Sequence, residues 1–129
     1  MINTDAFSYI NILDKAADAS WTRSECINNN IANVDTPGYK RQDIDFASTL
    51  KEELGRYKYV SLDEKVENVN LNHLNPSVYT DSANFSYRED RNNVDIDTEE
   101  VERASETIKY QVLTDSISQE FSRLKTVMS

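Results

Sequence analysis

Asn29-Asn30-Ile31-Ala32-Asn33-Val34-Asp35-Thr36-Pro37-Gly38-Tyr39-Lys40-Arg41-Gln42 is the stretch where one kind of structure stops and another begins. Pro37 pushes Thr36 toward extended geometry. Pro37-Gly38 is a type II turn signal, because that turn wants proline second and a positive φ third. A helix arriving from the N-terminal side therefore ends here. Upstream, Ala6, Ile10, Leu13, Ala17, Ser20, Ser24, Ile27, Ile31 and Val34 alternate at spacings of four and three. That is a heptad seam sustained over about four repeats, and it predicts one long helix over residues 1–34. The seam is thin. Ala17, Ser20 and Ser24 let a partner backbone come close but bury little area. Phe7 and Trp21 lie off it, on a neighbouring face.

Downstream, a short helix is predicted over Phe46–Leu54. Asp45 can cap it, Phe46, Leu50 and Leu54 share a face, and Gly55 ends it. From Arg56 to Asp97 periodicity is poor and asparagine frequent. Tyr57–Val60, Val69–Leu71 and Phe85–Tyr87 are candidate short strands. Residues 98–129 read as a second long helix. Asp97 or Thr98 can cap it, with Glu100 completing a capping box. Glu99, Glu100 and Glu102 suit the positive end of its dipole, and Arg123 and Lys125 the negative end. At ~1.5 Å per residue each long helix reaches roughly 45–50 Å, and matched lengths suggest antiparallel pairing. The fold class is mainly α: two long terminal helices in an antiparallel coiled-coil-like pair, with a short helix and an irregular or weakly β middle. The chain divides into 1–34, 35–97 and 98–129.

The apolar pattern of the last helix is uneven. Val101, Ala104, Ile108 and Val112 cluster on one side at about 100° per residue, whereas Tyr110, Leu113, Ile117, Phe121, Leu124 and Met128 cluster on the other. A helix in a two-helix hairpin needs one apolar side. Two sides imply two sets of neighbours: either a bundle core or, as favoured here, other subunits. The candidate packing residues are Ile10, Leu13, Ala17, Ile27, Ile31 and Val34 on the first helix. On the last they are Val101, Ile108, Val112, Leu113, Ile117, Phe121, Leu124 and Met128.

Composition narrows the function classes. The chain has 129 residues, with 14 basic against 23 acidic and a formal net charge of −9. Such a chain repels phosphate backbones and anionic lipid surfaces, so neither nucleic acid nor a membrane is an expected partner. Hydrophobic residues are 38% of the chain, below the usual ~45–50%, so the core of an isolated monomer is small. Two glycines and two prolines are too few for a β-sandwich or a phosphate-cradling fold. The N-terminus lacks the basic and apolar regions of a cleaved secretory signal. No run of ~18 apolar residues exists to span a membrane.

Catalytic chemistry finds little material. The one histidine, His73, sits in an asparagine-rich stretch with no ligand-like spacing around it. Asp43 with Asp45, and Asp95 with Asp97, are too few oxygens for a calcium loop and read as caps or solvated groups. The one cysteine, Cys26, precludes an internal disulfide, has no activating partner nearby, and reads as a small interface or surface residue. The acidic run Asp95–Glu106 reads as a solvated helix start. Asn28, Asn29, Asn30 and Asn33 cost helix propensity, which suggests that their amides pair with backbone groups of a neighbouring subunit. No cofactor, metal or small-molecule substrate is expected.

The segment quoted first closely resembles the signature of the flagellar rod, hook and hook-filament axial family, whose N-terminal helix ends in an NIAN-x-x-TPGY-type turn. The matching positions are Asn30, Ala32, Asn33, Thr36, Pro37, Gly38 and Tyr39. Asp43-Ile44-Asp45-Phe46-Ala47-Ser48 is similar to the family, and so is Asn93-Val94-Asp95-Ile96-Asp97 leading to Lys109-Tyr110-Gln111 and Leu113-Thr114. Asp90-Arg91-Asn92-Asn93 stands where relatives often carry a glycine-containing turn. The resemblance implies a structural subunit of the proximal rod of the bacterial flagellar basal body. It implies helical packing that carries torque, and type III export without a cleaved signal to the periplasmic side of the inner membrane. The partners it implies are other rod subunits, basal adaptor and membrane-ring proteins, and the export apparatus. Alternatives are another axial subunit of the family, or a soluble helical interaction module such as a secretion chaperone or adaptor.

Overall fold

The computed structural model describes residues 4–56, 61–81 and 90–128, with side chains from residue 7 onward. Helix α1 spans Thr4–Ala32, strand β1 Gln42–Ile44, helix α2 Phe46–Gly55 and helix α3 Leu62–Glu67. A 3₁₀ turn over Leu71–Leu74, strand β2 over Val78–Thr80 and helix α4 over Ile96–Met128 complete the chain. The fold is mainly helical, with two long terminal helices and a short strand-containing middle, as the periodicity indicated.

Helix α1 forms where the heptad seam predicts it. Ile10, Ala17, Ser20 and Ile27 on the seam are buried. A second stripe, Ala19, Cys26 and Asn30, is buried on the adjoining flank, where β1 packs. The helix hands over to a tight turn. The Tyr39 amide donates to the Thr36 carbonyl at 3.2 Å, and Gly38 holds φ +74°, so Thr36–Tyr39 is the expected type II turn.

The end of α1 is closed by a segment far along the chain. Asn92 Nδ2 donates to the carbonyls of Asn33, Val34 and Thr36 at 2.8, 3.0 and 2.8 Å, satisfying groups that a helix end leaves open. The Gly38 amide donates to the Asp90 carbonyl at 2.6 Å, and Lys40 Nζ donates to the carbonyl of Arg91. Arg91 itself has φ +62°, in the region that favours glycine. The clamp over-determines that conformation, which explains how an arginine is held there.

The middle differs from expectation in three ways. Strands β1 and β2 pair antiparallel, with Gln42 opposite Thr80 and Ile44 opposite Val78. Neither was predicted. Val69–Leu71 is not a strand but the link from α3 into the 3₁₀ turn. The other candidate strands, Tyr57–Val60 and Phe85–Tyr87, lie outside the described residues. Helix α2 is capped by Asp45, whose carboxylate accepts from the Ser48 amide at 3.0 Å. Gly55 is its last residue rather than a left-handed stop, and Arg56 caps it in right-handed conformation.

Helix α4 starts two residues earlier than predicted. Asp95, not Asp97 or Thr98, is the cap: its carboxylate accepts from the amides of Asp97 at 3.1 Å and Thr98 at 3.5 Å. The helix runs antiparallel to α1, since Asn30 meets Glu99, Arg23 meets Glu102 and Glu106, and Trp21 meets Tyr110. The side of α4 that faces α1 does not change along its length; its chemistry does. Glu99, Glu102 and Glu106 fill its first half, and Tyr110, Leu113, Ile117 and Leu124 its second. The apolar residues therefore do change sides, outward in the first half and inward in the second, because carboxylates occupy the inner side of the first half. Val101, Ile108 and Val112 point away from α1 and remain 58–68% exposed.

At the other end, Tyr9 Oη donates to Asp63 at 2.8 Å, tying α1 to α3. Two predictions concern the turn. An added Cβ at Gly38 meets nothing within 4 Å, so the cost of Gly38→Ala is purely conformational, about 1–2 kcal/mol. Arg91→Gly relieves the same kind of strain and raises stability by about 1 kcal/mol. Thermal or urea unfolding of the two variants should move in opposite directions.

Candidate functional site: a charged joint and the open helix faces

Two arginines organise the turn-side half of the molecule. Arg23, in the middle of α1, reaches three carboxylates: Asp43 Oδ1 at 2.8 Å, Glu106 Oε1 at 2.7 Å and Glu102 Oε2 at 2.9 Å. Arg41, just before β1, reaches Glu99 Oε1 at 2.7 Å, Asp43 Oδ2 at 3.1 Å and Asp81 Oδ2 at 3.3 Å. Asp43 is shared: Oδ1 accepts from Arg23, and Oδ2 accepts from Arg41 at 3.1 Å and from Arg23 Nη2 at 3.5 Å. The joint thus binds α1, the β1–β2 pair and α4 through one connected set of charges.

Neutral donors complete it. Ser20 Oγ donates to Glu106 Oε2 at 2.6 Å. Asn30 Nδ2 donates to the Gln42 carbonyl at 2.9 Å and to Glu99 Oε2 at 3.3 Å. Asn30 Oδ1 accepts from the Gln42 amide at 2.9 Å and from Tyr39 Oη at 3.1 Å. Its amide therefore mimics a neighbouring strand along the outer edge of β1. Glu99 and Glu106 keep only 1% and 2% of their surface exposed, and no buried side-chain polar atom among the described residues lacks a partner. Such a network is stable only when complete.

The charges respond accordingly. Burial works against ionised Asp43, yet hydrogen bonds from Arg23 and the Ile44 amide hold its carboxyl below the usual range. Burial also opposes both guanidinium charges, but the surrounding carboxylates push both pKa values further up. Burial raises the Cys26 thiol, with the Asp43 charge adding to it. Burial likewise raises the Tyr39 phenol.

Several sequence readings change here. Glu99 and Glu106 are not part of a solvated helix start, and Asp43 is neither cap nor solvated. Glu99 and Glu106 are each buried against an arginine far away in sequence, and Asp43 against distant Arg23 as well as nearby Arg41. Cys26 is buried rather than at a surface. Asn30 pairs with backbone as expected, but with that of its own chain. Asn28 and Asn29 are exposed. Asn33 Nδ2 turns back to the Asn29 carbonyl at 2.8 Å, and Thr36 Oγ1 donates to Asn33 Oδ1 at 3.1 Å. His73 is not idle: its Nδ1 lies 2.7 Å from buried Glu53, joining the 3₁₀ turn to α2. The one sequence signal for the joint was Glu99 and Glu106 standing one heptad apart on the side of α4 that carries Leu113.

The candidate packing residues fall into three groups. Ile10, Ala17 and Ile27 are buried within the chain, so their apolar surface is already used. Leu13, Ile31, Val34, Leu113, Ile117 and Leu124 are half-buried. Val101, Ile108, Val112, Phe121 and Met128 are exposed. A groove of about 480 Å³, lined by Phe7, Phe121, Leu124, Lys125 and Met128, opens at the end of the pair away from the turn. Exposed Trp21 stacks obliquely on Tyr110, ring centroids 5.6 Å apart. In the motif, Asn30 is buried, Asn33 and Tyr39 half-buried, and Ala32, Thr36, Pro37 and Gly38 exposed. No described helix is long and apolar enough to cross a membrane. Among the described residues no group of three or more acidic, histidine or cysteine side chains is placed to hold a metal.

These features define a helical structural subunit: two antiparallel struts held by a charged joint, with apolar faces left open. A family model described as flagella basal body rod protein matches residues 15–40, the second half of α1 and the turn. Flagellar basal body rod protein FlgB of Bacillus subtilis strain 168 is 34% identical over 117 residues, covering 91% of this chain and 90% of the relative. FlgB of Escherichia coli K12 is 32% identical over 113 residues, 82% of each chain. FlgB of Salmonella typhimurium LT2 is 35% identical over 97 residues, 70% of each. The chain belongs to the FlgB family of flagellar basal body rod proteins, structural proteins of the bacterial flagellum.

Removing one partner of a buried ion pair strands the others. Arg23→Met is expected to cost about 3–5 kcal/mol. Arg103→Met, which breaks the exposed 2.6 Å pair with Glu100, should cost under about 1 kcal/mol. Paired urea titrations check the ratio. Cys26, buried and with its thiolate disfavoured, should react with a thiol reagent far more slowly in the folded chain than in urea; equal rates would contradict its burial.

Proposed function

We propose that this chain is a structural subunit of the proximal rod of the flagellar basal body, packing helically with other rod subunits to transmit motor torque. One observation carries the reading. Helix α4 has two apolar sides, and the chain uses only one, leaving Val101, Ile108 and Val112 exposed in a continuous stripe. Apolar side chains aligned on one exposed side of a helix fit a protein contact. Phe7, Trp21, Phe121 and Met128 add a second open face on the helix pair. Two distinct faces on one subunit favour heterologous contacts, which do not close and so extend into a helical assembly. Membership of a rod family supports the same partners: other basal body components, with an adaptor and membrane ring at the rod base.

In this reading residues 1–34 and 98–129 form the rod core, and residues 35–97 brace it. The role is mechanical, and the stiffness comes from interdigitated helices, each contact worth ~25 cal/mol per Å² of apolar area buried. The seam residues Ile10, Ala17 and Ile27 hold the subunit together, while the outward residues hold the rod. Export proceeds through the flagellar apparatus without a cleaved signal, to the periplasmic side of the inner membrane.

The test separates fold from assembly. Ile108→Asp with Phe121→Asp changes exposed positions, so helix content by circular dichroism should stay at the parent level. Cells carrying both changes should export the subunit yet fail to swim. Swimming cells would refute the packing role. A closed, well-folded dimer of the purified parent chain on size exclusion would instead favour a soluble adaptor.

A further inference from the structure

The two halves of the α1–α4 pair are held by different forces. In the half away from the turn, Leu113, Ile117 and Leu124 face α1 beside Ile10, Leu13 and Ala17. In the turn half, the contacts from α4 are carboxylates. All four oxygens of Glu99 and Glu106 accept hydrogen bonds: from Arg41 Nε and Asn30 Nδ2 for Glu99, from Arg23 Nη1 and Ser20 Oγ for Glu106. Guanidinium and amide N–H groups can only donate. A carboxyl proton in this site therefore points a donor at donors, and only the Ser20 hydroxyl can turn to receive it.

We infer that the turn half of the helix pair is a proton-operated latch: it closes only while Glu99 and Glu106 are ionised, and protonation lifts that half of α4 off α1 while the apolar half stays paired. The surroundings reinforce this. From α1, Arg23 and the Cys26 thiol face the site. From the β1 arm come Tyr39, Arg41 and Asp43, and Asp81 closes it after β2. On α4 itself, Asp95 and Glu102 border a cavity of about 360 Å³ beside Glu99. A second cavity, of about 310 Å³, places Asp45 and Tyr79 beside Glu106, and Lys109 Nζ lies 3.9 Å from Glu106. Once Glu99 and Glu106 are neutral, Arg23 keeps Asp43 and Glu102, and Arg41 keeps Asp43 and Asp81, so both guanidiniums stay paired; the only charge that still ties α4 to them is the part-exposed Glu102. The apolar half contains no such arrangement among the described residues: Glu120 pairs with Arg123 on α4 itself, at 3.0 Å.

Hydrogen exchange of the full chain, stepped from pH 7 to about pH 3 and corrected for intrinsic exchange rates, tests the inference. Amides of residues 99–107 should lose protection at a higher pH than those of residues 113–124. Simultaneous loss, or earlier loss in 113–124, overturns the latch. A second arm replaces the charges with apolar groups of similar length: Arg23→Met, Glu99→Met and Glu106→Met together. Asp43 keeps Arg41, and Glu102, which loses Arg23, is exposed enough to be solvated in its place. In this variant residues 99–107 should keep their protection at the pH that opens the parent. Opening at the same pH as the parent overturns the inference. If the triple variant does not fold at neutral pH, the order of opening in the parent decides.

Discussion

Asp43 shared between Arg23 and Arg41 is the interaction on which the molecule depends. A guanidinium half-removed from water must be neutralised, and a carboxylate buried as deeply as Glu99 or Glu106 must be paired. The β1 arm supplies both signs, but neither helix supplies an opposite charge at hydrogen-bond distance for its own buried one. Helix α1 brings Arg23, β1 brings Asp43 with Arg41 before it, and α4 brings the glutamates. The three elements can satisfy their charges only by meeting at one place. This also explains the thin seam of α1. Ser20 is small enough to let Glu106 approach and polar enough to bond it. A leucine there would bury more area and leave the glutamate without its second donor.

The joint has a structural consequence for the open faces. Because α4 spends its first-half inner side on ion pairs, its apolar residues in that half stand outward. A two-helix hairpin built on apolar contacts alone would bury its only greasy stripe and offer nothing to neighbours. Here charge does the internal work over half the length, and the β-branched stripe of Val101, Ile108 and Val112 is left exposed. A rod subunit needs this separation, since it must hold its own shape and still expose contact surface on more than one side. The clamp of Asn92 over the end of α1 does the same for the turn. It closes the open carbonyls of the helix end within the subunit, so the motif residues Thr36, Pro37 and Gly38 can lie at the surface.

The turn and the long helices were legible because their signals are local. Pro37 and Gly38 act on adjacent dihedrals, and the heptad seam of α1 repeats within each two turns. Asp45 as a cap is a three-residue event. The cap of α4 was misplaced by two residues because Asp95 and Asp97 are chemically equivalent, and the choice between them depends on where Asn92 and Val94 are held. The β1–β2 pair was not legible. Its strands have three residues each, carry no alternation, and lie 36 positions apart from Gln42 to Val78. Glu106 illustrates the limit best. Its sequence neighbours are those of a solvated helix, and only Arg23, 83 positions away, makes it a buried residue.

What the sequence determined by itself was therefore the set of struts: two long helices, an abrupt turn between the first and the middle, and apolar residues on two sides of the last. These follow from backbone sterics and from periodicity, which act over a few residues. The tertiary structure alone decided which acidic residues are buried, which asparagines are clamps, and which apolar stripe is spent inside the subunit. A carboxylate or an amide has no fixed role until a donor is brought opposite it, and these donors come from other parts of the chain.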